Sequence, residues 1–133
     1  MPIDADHVRQ IFGNLETGNA EAFFGHVSDD VDWTVMGTHP LAGNYRSKKD
    51  FVTSTFERLN RLLKDRIRLR LTDLHLCGET AVVELEALAE ALNGRPFDNR
   101  YCWVVFFSGN QIVRVRAYLD SALVQKLIDE NER

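Results

Sequence analysis

Apolar side chains recur along this chain with two different periods, and the change of period divides it. Val8, Ile11, Phe12 and Leu15 fall at i, i+3, i+4 and i+7, the spacing of one helix face. Asp4 or Asp6 stands ready as the cap, and Thr17-Gly18-Asn19 ends the run. Asn19 opens a second short helix, expected to reach about Val27. From Asp29-Asp30 the pattern alternates, with Val31, Trp33 and Val35 on one side of a predicted strand. Gly37-Thr38-His39-Pro40 and Gly43-Asn44 mark a loop. Ser47 then caps a longer helix, with Phe51, Thr55, Phe56, Leu59, Leu62 and Leu63 along one face.

Beyond Arg66 the period falls to two. Arg66, Arg68 and Arg70 alternate with Ile67, Leu69 and Leu71, a strand with one wet side. Gly78-Glu79 turns the chain into a strand over 80–92, and Asn93-Gly94-Arg95-Pro96 forms the next loop. Strands over 100–107 and 112–119 meet at the Ser108-Gly109-Asn110 hairpin. Asp120-Ser121 caps a last helix over about 122–129. The order α-α-β-α-β-β-β-β-α predicts an α+β fold, an antiparallel meander curled against helices.

With 133 residues, 44% of them hydrophobic, the chain fits a single domain over 1–133 that buries its own core. A formal charge of −4 argues against nucleic acid or an anionic membrane as the main partner. Arg66, Arg68, Arg70, Arg114 and Arg116 accordingly read as a solvated or dimer-edge face bridging to carboxylates. No run of 18 apolar residues exists to span a membrane, and Met-Pro-Ile-Asp-Ala-Asp-His lacks the basic start of a signal peptide. Cys77 and Cys102 lie in apolar runs and read as buried thiols, which points to a reducing, cytoplasmic setting. His7, His26, His39 and His75 share no HxxxH or HxH spacing, so neither a metal nor another cofactor is expected.

Three segments carry a family resemblance. They are Asp29-Asp30-Val31-Asp32-Trp33, Pro40-Leu41-Ala42-Gly43-Asn44-Tyr45-Arg46, and the stretch from Gly109 to Asp120 that ends Ala117-Tyr118-Leu119-Asp120. In this order the chain resembles the SnoaL-like branch of the nuclear transport factor 2-like superfamily. The resemblance implies a cystatin-like cone: a curved antiparallel sheet wrapped on three to four helices around an internal pocket. It also implies a homodimer through the outer sheet face. It does not choose among isomerases, cyclases, hydrolases and non-catalytic binders.

Alternation sorts side chains between the two sheet faces, and the resemblance assigns the inner one. Val82, Glu84, Glu86, Leu88 and Glu90 share one face of the 80–92 strand, opposite Val83, Leu85, Ala87, Ala89 and Ala91. Alignment on the Gly78 turn with ketosteroid isomerase-like relatives turns the glutamate face to the pocket. The more apolar alanine face as core is the competing assignment. If Glu84 and Glu86 face inward, they stand about 7 Å apart near Asp120, and mutual repulsion would raise at least one pKa. Tyr101 and Trp103 are expected on the pocket side, with Ala117 and Leu119.

The resemblance thus names Asp120 as acid/base, with Glu84 and Glu86 tuning it. Trp33, Tyr45, Phe56, Tyr101 and Trp103 would shape a small apolar, ring-containing ligand, with His39 at the mouth. Asp120 also reads as a plain N-cap, and core packing is the simpler use of each aromatic. Departures narrow the chemistry. Val35, Ile11 and Trp103 occupy the positions of the base, tyrosine and acid of ketosteroid isomerase, which disfavours that activity. Glu84 replaces the arginine that organises the two acids of limonene epoxide hydrolase-like sites. The alternative function is a non-catalytic ligand-binding or dimerisation domain.

Overall fold

The structure, a computed structural model, describes residues 3–132. Helix α1 (Ala5–Glu16) is capped by the Asp4 carboxylate, which accepts from the Asp6 N–H, and it buries Val8, Ile11, Phe12 and Leu15. Helix α2 (Ala20–Phe24) is capped by Asn19 and is shorter than the apolar pattern suggests, because β1 (Val27–Val35) already begins at Val27. Gly43–Tyr45, expected as loop, forms a short strand β2 antiparallel to β1, pairing Trp33 with Tyr45.

The helix expected after Ser47 is two helices, α3 (Lys48–Ser54) and α4 (Phe56–Asn60). They part at Thr55, whose hydroxyl donates to the Phe51 carbonyl one turn back at 2.7 Å. Such back-bonding by a β-branched residue competes with the helix ladder and bends it. The bend lets Phe51 and Phe56 reach the same interior space, where their rings lie 6.0 Å apart.

Strands β3 (Arg68–Cys77), β4 (Thr80–Glu90), β6 (Arg100–Ser108) and β7 (Gln111–Leu119) form the predicted meander. A two-residue strand, β5 (Pro96–Phe97), adds to the end of β4. The spatial order is β2-β1-β7-β6-β4-β3. The sheet is mixed rather than purely antiparallel, because β1 lies parallel to β7. A parallel partner needs a long crossover, and everything between β1 and β7 supplies it. Register shifts at 27/32, 71/73 and 106/107 add local twist and help curl the sheet. Helix α5 (Ser121–Asn131) closes the chain, its N-terminus capped by Asp120.

The inner face of β4 is Ala81, Val83, Leu85 and Ala87, each at most 2% exposed. This reverses the expected facing: Glu84 and Glu86 point to the outer side of the sheet. The register gives the reason, since Glu86 stands opposite Arg100 and Arg70, and cross-strand partners share a face. Burying Val83 and Leu85 is favourable, whereas burying two carboxylates carries a desolvation cost that no cation inside would offset. Cys77 is exposed beside the Gly78 turn and Cys102 is half-buried on the outer face, so they are not the buried thiols expected. Both are free. Among the described residues no helix is long and apolar enough to cross a membrane.

Candidate functional site

The concave face of the sheet and the helices bound a half-open cavity of about 40 Å³, room for roughly three waters. Trp33 and Val35 of β1, Tyr101 and Trp103 of β6, and Ala117 and Leu119 of β7 form its sheet wall. Phe51, Thr55, Phe56 and Leu59 close it from α3 and α4, Val124 from α5, and His39 and Leu41 from the β1–β2 loop. Trp33 stacks on Phe51 with ring centroids 3.9 Å apart and 18° between planes, and Trp103 meets Trp33 edge-on at 5.1 Å. Phe24 adds a further edge contact to Phe56 at 5.1 Å. The walls are therefore flat and aromatic, and a ring-shaped ligand must displace or tilt them to enter.

Polar groups at the cavity are few. The His39 ring sits between two backbone groups: Nε2 is 3.1 Å from the Met36 carbonyl and Nδ1 accepts from the Leu41 N–H at 3.2 Å. Burial holds its pKa below the ordinary value, the Met36 hydrogen bond opposing in part. Both nitrogens are engaged, and His39 acts as a loop clamp. Gly37 makes the clamp possible. At φ +116° it passes so close to Ser121 and His39 that a Cβ would collide with both.

Tyr101 brings its hydroxyl into contact with Asn99, and burial pushes its pKa well up, so it remains a protonated phenol. Tyr45 supports the wall from behind: its hydroxyl donates to the Leu41 carbonyl at 2.8 Å and its ring meets Phe51 edge-on at 5.7 Å. Among the described residues three buried side-chain nitrogens have no hydrogen-bond partner in the protein: Nε2 of His7, away from the cavity, and the indole nitrogens of Trp33 and Trp103, two of the lining residues.

Of the residues expected at the site, Trp33, His39, Phe56, Tyr101 and Trp103 line the cavity together. The carboxylates do not. Asp120 is exposed, and its Oδ1 accepts from the Leu123 N–H at 3.2 Å as the cap of α5. Its place is at the rim, one residue beyond Leu119. Glu86 lies on the outer face between Arg70 (2.6 Å) and Arg100 (2.9 Å). Glu84 is exposed there too, 3.0 Å from His75. Thus the three acids do not converge on one space.

Asn99 went unnoticed in the sequence. It is 1% exposed, and its side chain accepts from the Asp120 N–H at 3.2 Å and donates to the Asp120 carbonyl at 3.3 Å. It also accepts from the Arg100 N–H at 2.8 Å. Asn99 therefore ties the start of β6 to the start of α5 beside Tyr101. An asparagine in a Phe-Asp-Asn-Arg loop carries no pattern that announces this.

Among the described residues, Asp73, His75 and Glu84 bring three metal-ligand atoms within 4.8 Å of one another. Sequence spacing concealed the set because Glu84 comes from the neighbouring strand. The groups already serve each other, for His75 Nε2 lies 3.0 Å from Glu84 and 3.5 Å from Asp73. The hydrogen bond to Glu84, then the charge of Asp73, raises the His75 pKa above 6.5. The stabilisation from charged His75 is therefore present below pH 6.5 and lost as pH rises through the higher folded value. We expect the His75 ring resonances to titrate above 6.5 by NMR, and Glu84→Gln to move the midpoint down. An unchanged midpoint would refute this pairing.

Comparison with known proteins agrees with the architecture. The family model of the SnoaL-like domain matches residues 8–115. A protein named dimerizing cyclase phiC, from a fungal species, is 30% identical over 129 residues, covering 94% of this chain and 57% of its own. Dimerizing cyclase tstC of Talaromyces stipitatus is 28% identical, covering 90% and 55%. The chain thus spans little more than half the length of the curated relatives it matches. An NTF2-like protein of Burkholderia thailandensis superposes with a TM-score of 0.78 at 24% identity, over 92% of this chain and 95% of its own. With four-fifths of its length matched by the family model and an NTF2-like fold throughout, the chain belongs to the SnoaL-like domain family.

Proposed function

We propose that this chain is a small-molecule enzyme domain of cyclase or isomerase type that works on an apolar, ring-containing ligand without a cofactor. The observation that carries this reading is the aromatic cavity, where Trp33, Phe51 and Trp103 offer flat faces to a ring. Membership in a family whose relatives here are named cyclases supports it. A homodimer through the outer sheet face and a cytoplasmic setting belong to the same reading. The half-buried Val82, Val104 and Phe106 on that face support the first, and the two free thiols support the second.

The acid/base in this proposal is Asp120, acting from the rim. Asn caps a helix about as well as Asp, so Asp120→Asn removes the charge and keeps the fold. Loss of a general acid or base costs about 10²–10⁴-fold in turnover. Wild-type turnover in Asp120→Asn would exclude the role. Glu84 and Glu86 have no part in it, since they lie across the sheet.

Binding is tested first. Both tryptophans of the chain line the cavity, so their emission reports on anything that enters. Titration with 1-anilinonaphthalene-8-sulfonate is expected to change that emission saturably. Ala117→Leu, which fills the cavity from β7, is expected to weaken binding at least about tenfold. Binding indifferent to Ala117→Leu would place the ligand elsewhere and sink the reading. A binder without chemistry is favoured by one observation, that among the described residues no carboxylate lines the cavity. It differs in leaving its ligand unchanged.

A further inference from the structure

One histidine and two carboxylates meet on the outer face of the sheet, across it from the aromatic cavity. Asp73 and His75 lie on β3, and Glu84 stands opposite Asp73 on β4. The register shift between Leu71 and Asp73 brings them together. Leu69 and Leu71 pair with the inward-facing Ala87 and Leu85, and strict alternation would turn Asp73 inward after them. Thr72 is the extra residue that changes the phase, so Asp73 and His75 share the outer face with Glu84. Its hydroxyl donates to the Glu84 carbonyl at 3.1 Å and fastens the bulge to β4. The ligand atoms are also aimed. Asp73 Oδ1 accepts from the Leu74 N–H at 2.8 Å, which leaves Oδ2 toward His75 Nε2 at 3.5 Å. Glu84 Oε2 lies 3.0 Å from the same nitrogen. Around a divalent ion with bonds of about 2.1 Å, neighbouring ligand atoms lie about 3.0–3.4 Å apart. The two spacings therefore already suit one ion. Among the described residues this is the one group of three or more His, Cys, Asp or Glu whose ligand atoms come within 4.8 Å of one another.

We propose that Asp73, His75 and Glu84 form a binding site for a divalent transition-metal ion of the zinc type on the outer face of the sheet. The donor set selects the class of ion. Calcium and magnesium take oxygen ligands, whereas an imidazole beside two carboxylates suits zinc and its neighbours. Two carboxylates and a neutral imidazole carry −2, which the ion cancels. An N–H on Nε2 points at one oxygen at a time, while a cation among the three atoms serves both. The three side chains are about half exposed, so the ion enters from solvent and keeps at least one position for water. Bound there, it joins the edge strand β3 to β4. The site is separate from the cavity, and its fate leaves the ligand reading above untouched.

The test titrates zinc chloride calorimetrically into chelator-treated, dialysed protein. One ion per chain is expected to bind saturably and to shift the His75 ring resonances in NMR spectra. Asp73→Asn, His75→Gln and Glu84→Gln each remove one ligand, and each is expected to weaken binding at least about tenfold. The positions are exposed and their ion pairs contribute little to stability, so the metal-free variants are expected to melt within a few degrees of the wild type. Cys77→Ser deletes the exposed thiol two residues beyond His75 and is expected to bind zinc as the wild type does. Calcium chloride is expected to bind at least about tenfold more weakly than zinc. Absence of saturable zinc binding would overturn the inference, as would affinity unchanged in His75→Gln. Loss of binding in Cys77→Ser would assign the ion to the thiol instead. Calcium binding as tightly as zinc would reduce the site to an acidic patch that attracts any dication, and would overturn it equally.

Discussion

Replacing Trp33 by alanine is expected to cost about 3–5 kcal/mol of stability and to lower the melting temperature by about 10–20 °C. Trp33 is fully buried, at the centre of the sheet wall. It contacts α3 through the 3.9 Å stack on Phe51, β6 through Trp103, and α2 through Phe24 at 6.2 Å. Deletion of the indole removes the surface that joins sheet to helices and enlarges an existing space, which close-packed neighbours refill only in part. One effect opposes this. The indole N–H is an unmet buried donor, and its removal returns about 1–3 kcal/mol. Trp33→Phe separates the two terms, because it keeps most of the apolar surface and discards the donor. Its melting temperature is expected to lie within a few degrees of the wild type. Calorimetric scans of both variants check this, and equal losses in the two would mean that the donor is satisfied after all.

The parts of this fold that were legible in the sequence are those in which local pattern and tertiary burial agree. Val8, Ile11, Phe12 and Leu15 needed only the 3.6-residue period, and all four are buried. The β6–β7 hairpin needed only alternation about Gly109, which takes φ +59°. Strand β2 was hidden because three residues, Gly-Asn-Tyr, are too few to show a period. The parallel β1–β7 pairing depends on contacts between residues about 80 positions apart and leaves no local trace.

Which face of β4 turns inward is a different case. Both faces alternate cleanly, and the alignment chose the acidic one. Burial chose the other, because Ala81, Val83, Leu85 and Ala87 pack without leaving a charge unpaired. At the site the same distinction holds. Strand phase put Tyr101 and Trp103 on the cavity side, whereas Leu59 and Val124 reach the wall only through the placement of α4 and α5, and Asn99 supports Tyr101 from the loop before β6.

Asn99→Leu is the second large effect expected, about 2–4 kcal/mol destabilising, and it carries a functional consequence. Leucine matches the asparagine in size, so the change tests hydrogen bonding more than packing. Asn99 serves the Asp120 N–H, the Asp120 carbonyl and the Arg100 N–H, and it touches the Tyr101 hydroxyl. An apolar side chain here leaves several of these groups unmet in a site 1% exposed, and each unmet group costs about 1–3 kcal/mol. Local opening that admits water relieves part of the sum, which is why the total stays below it.

The opening would occur where α5 leaves β7, so Asp120 and Tyr101 would lose their fixed relation across the rim. Amide exchange should then quicken at Asp120–Leu123 and at Arg100, while α1 keeps its protection. Asn99→Asp offers a control, because it retains the acceptor oxygen and loses the amide donor. Its loss should be smaller at alkaline pH than the leucine variant's only if the Asp120 and Arg100 N–H groups are the main debt. If Asn99→Leu unfolds at the wild-type urea midpoint, the clamp contributes nothing, and the rim is held by the Asp120 cap and the Gly37–Ser121 approach instead.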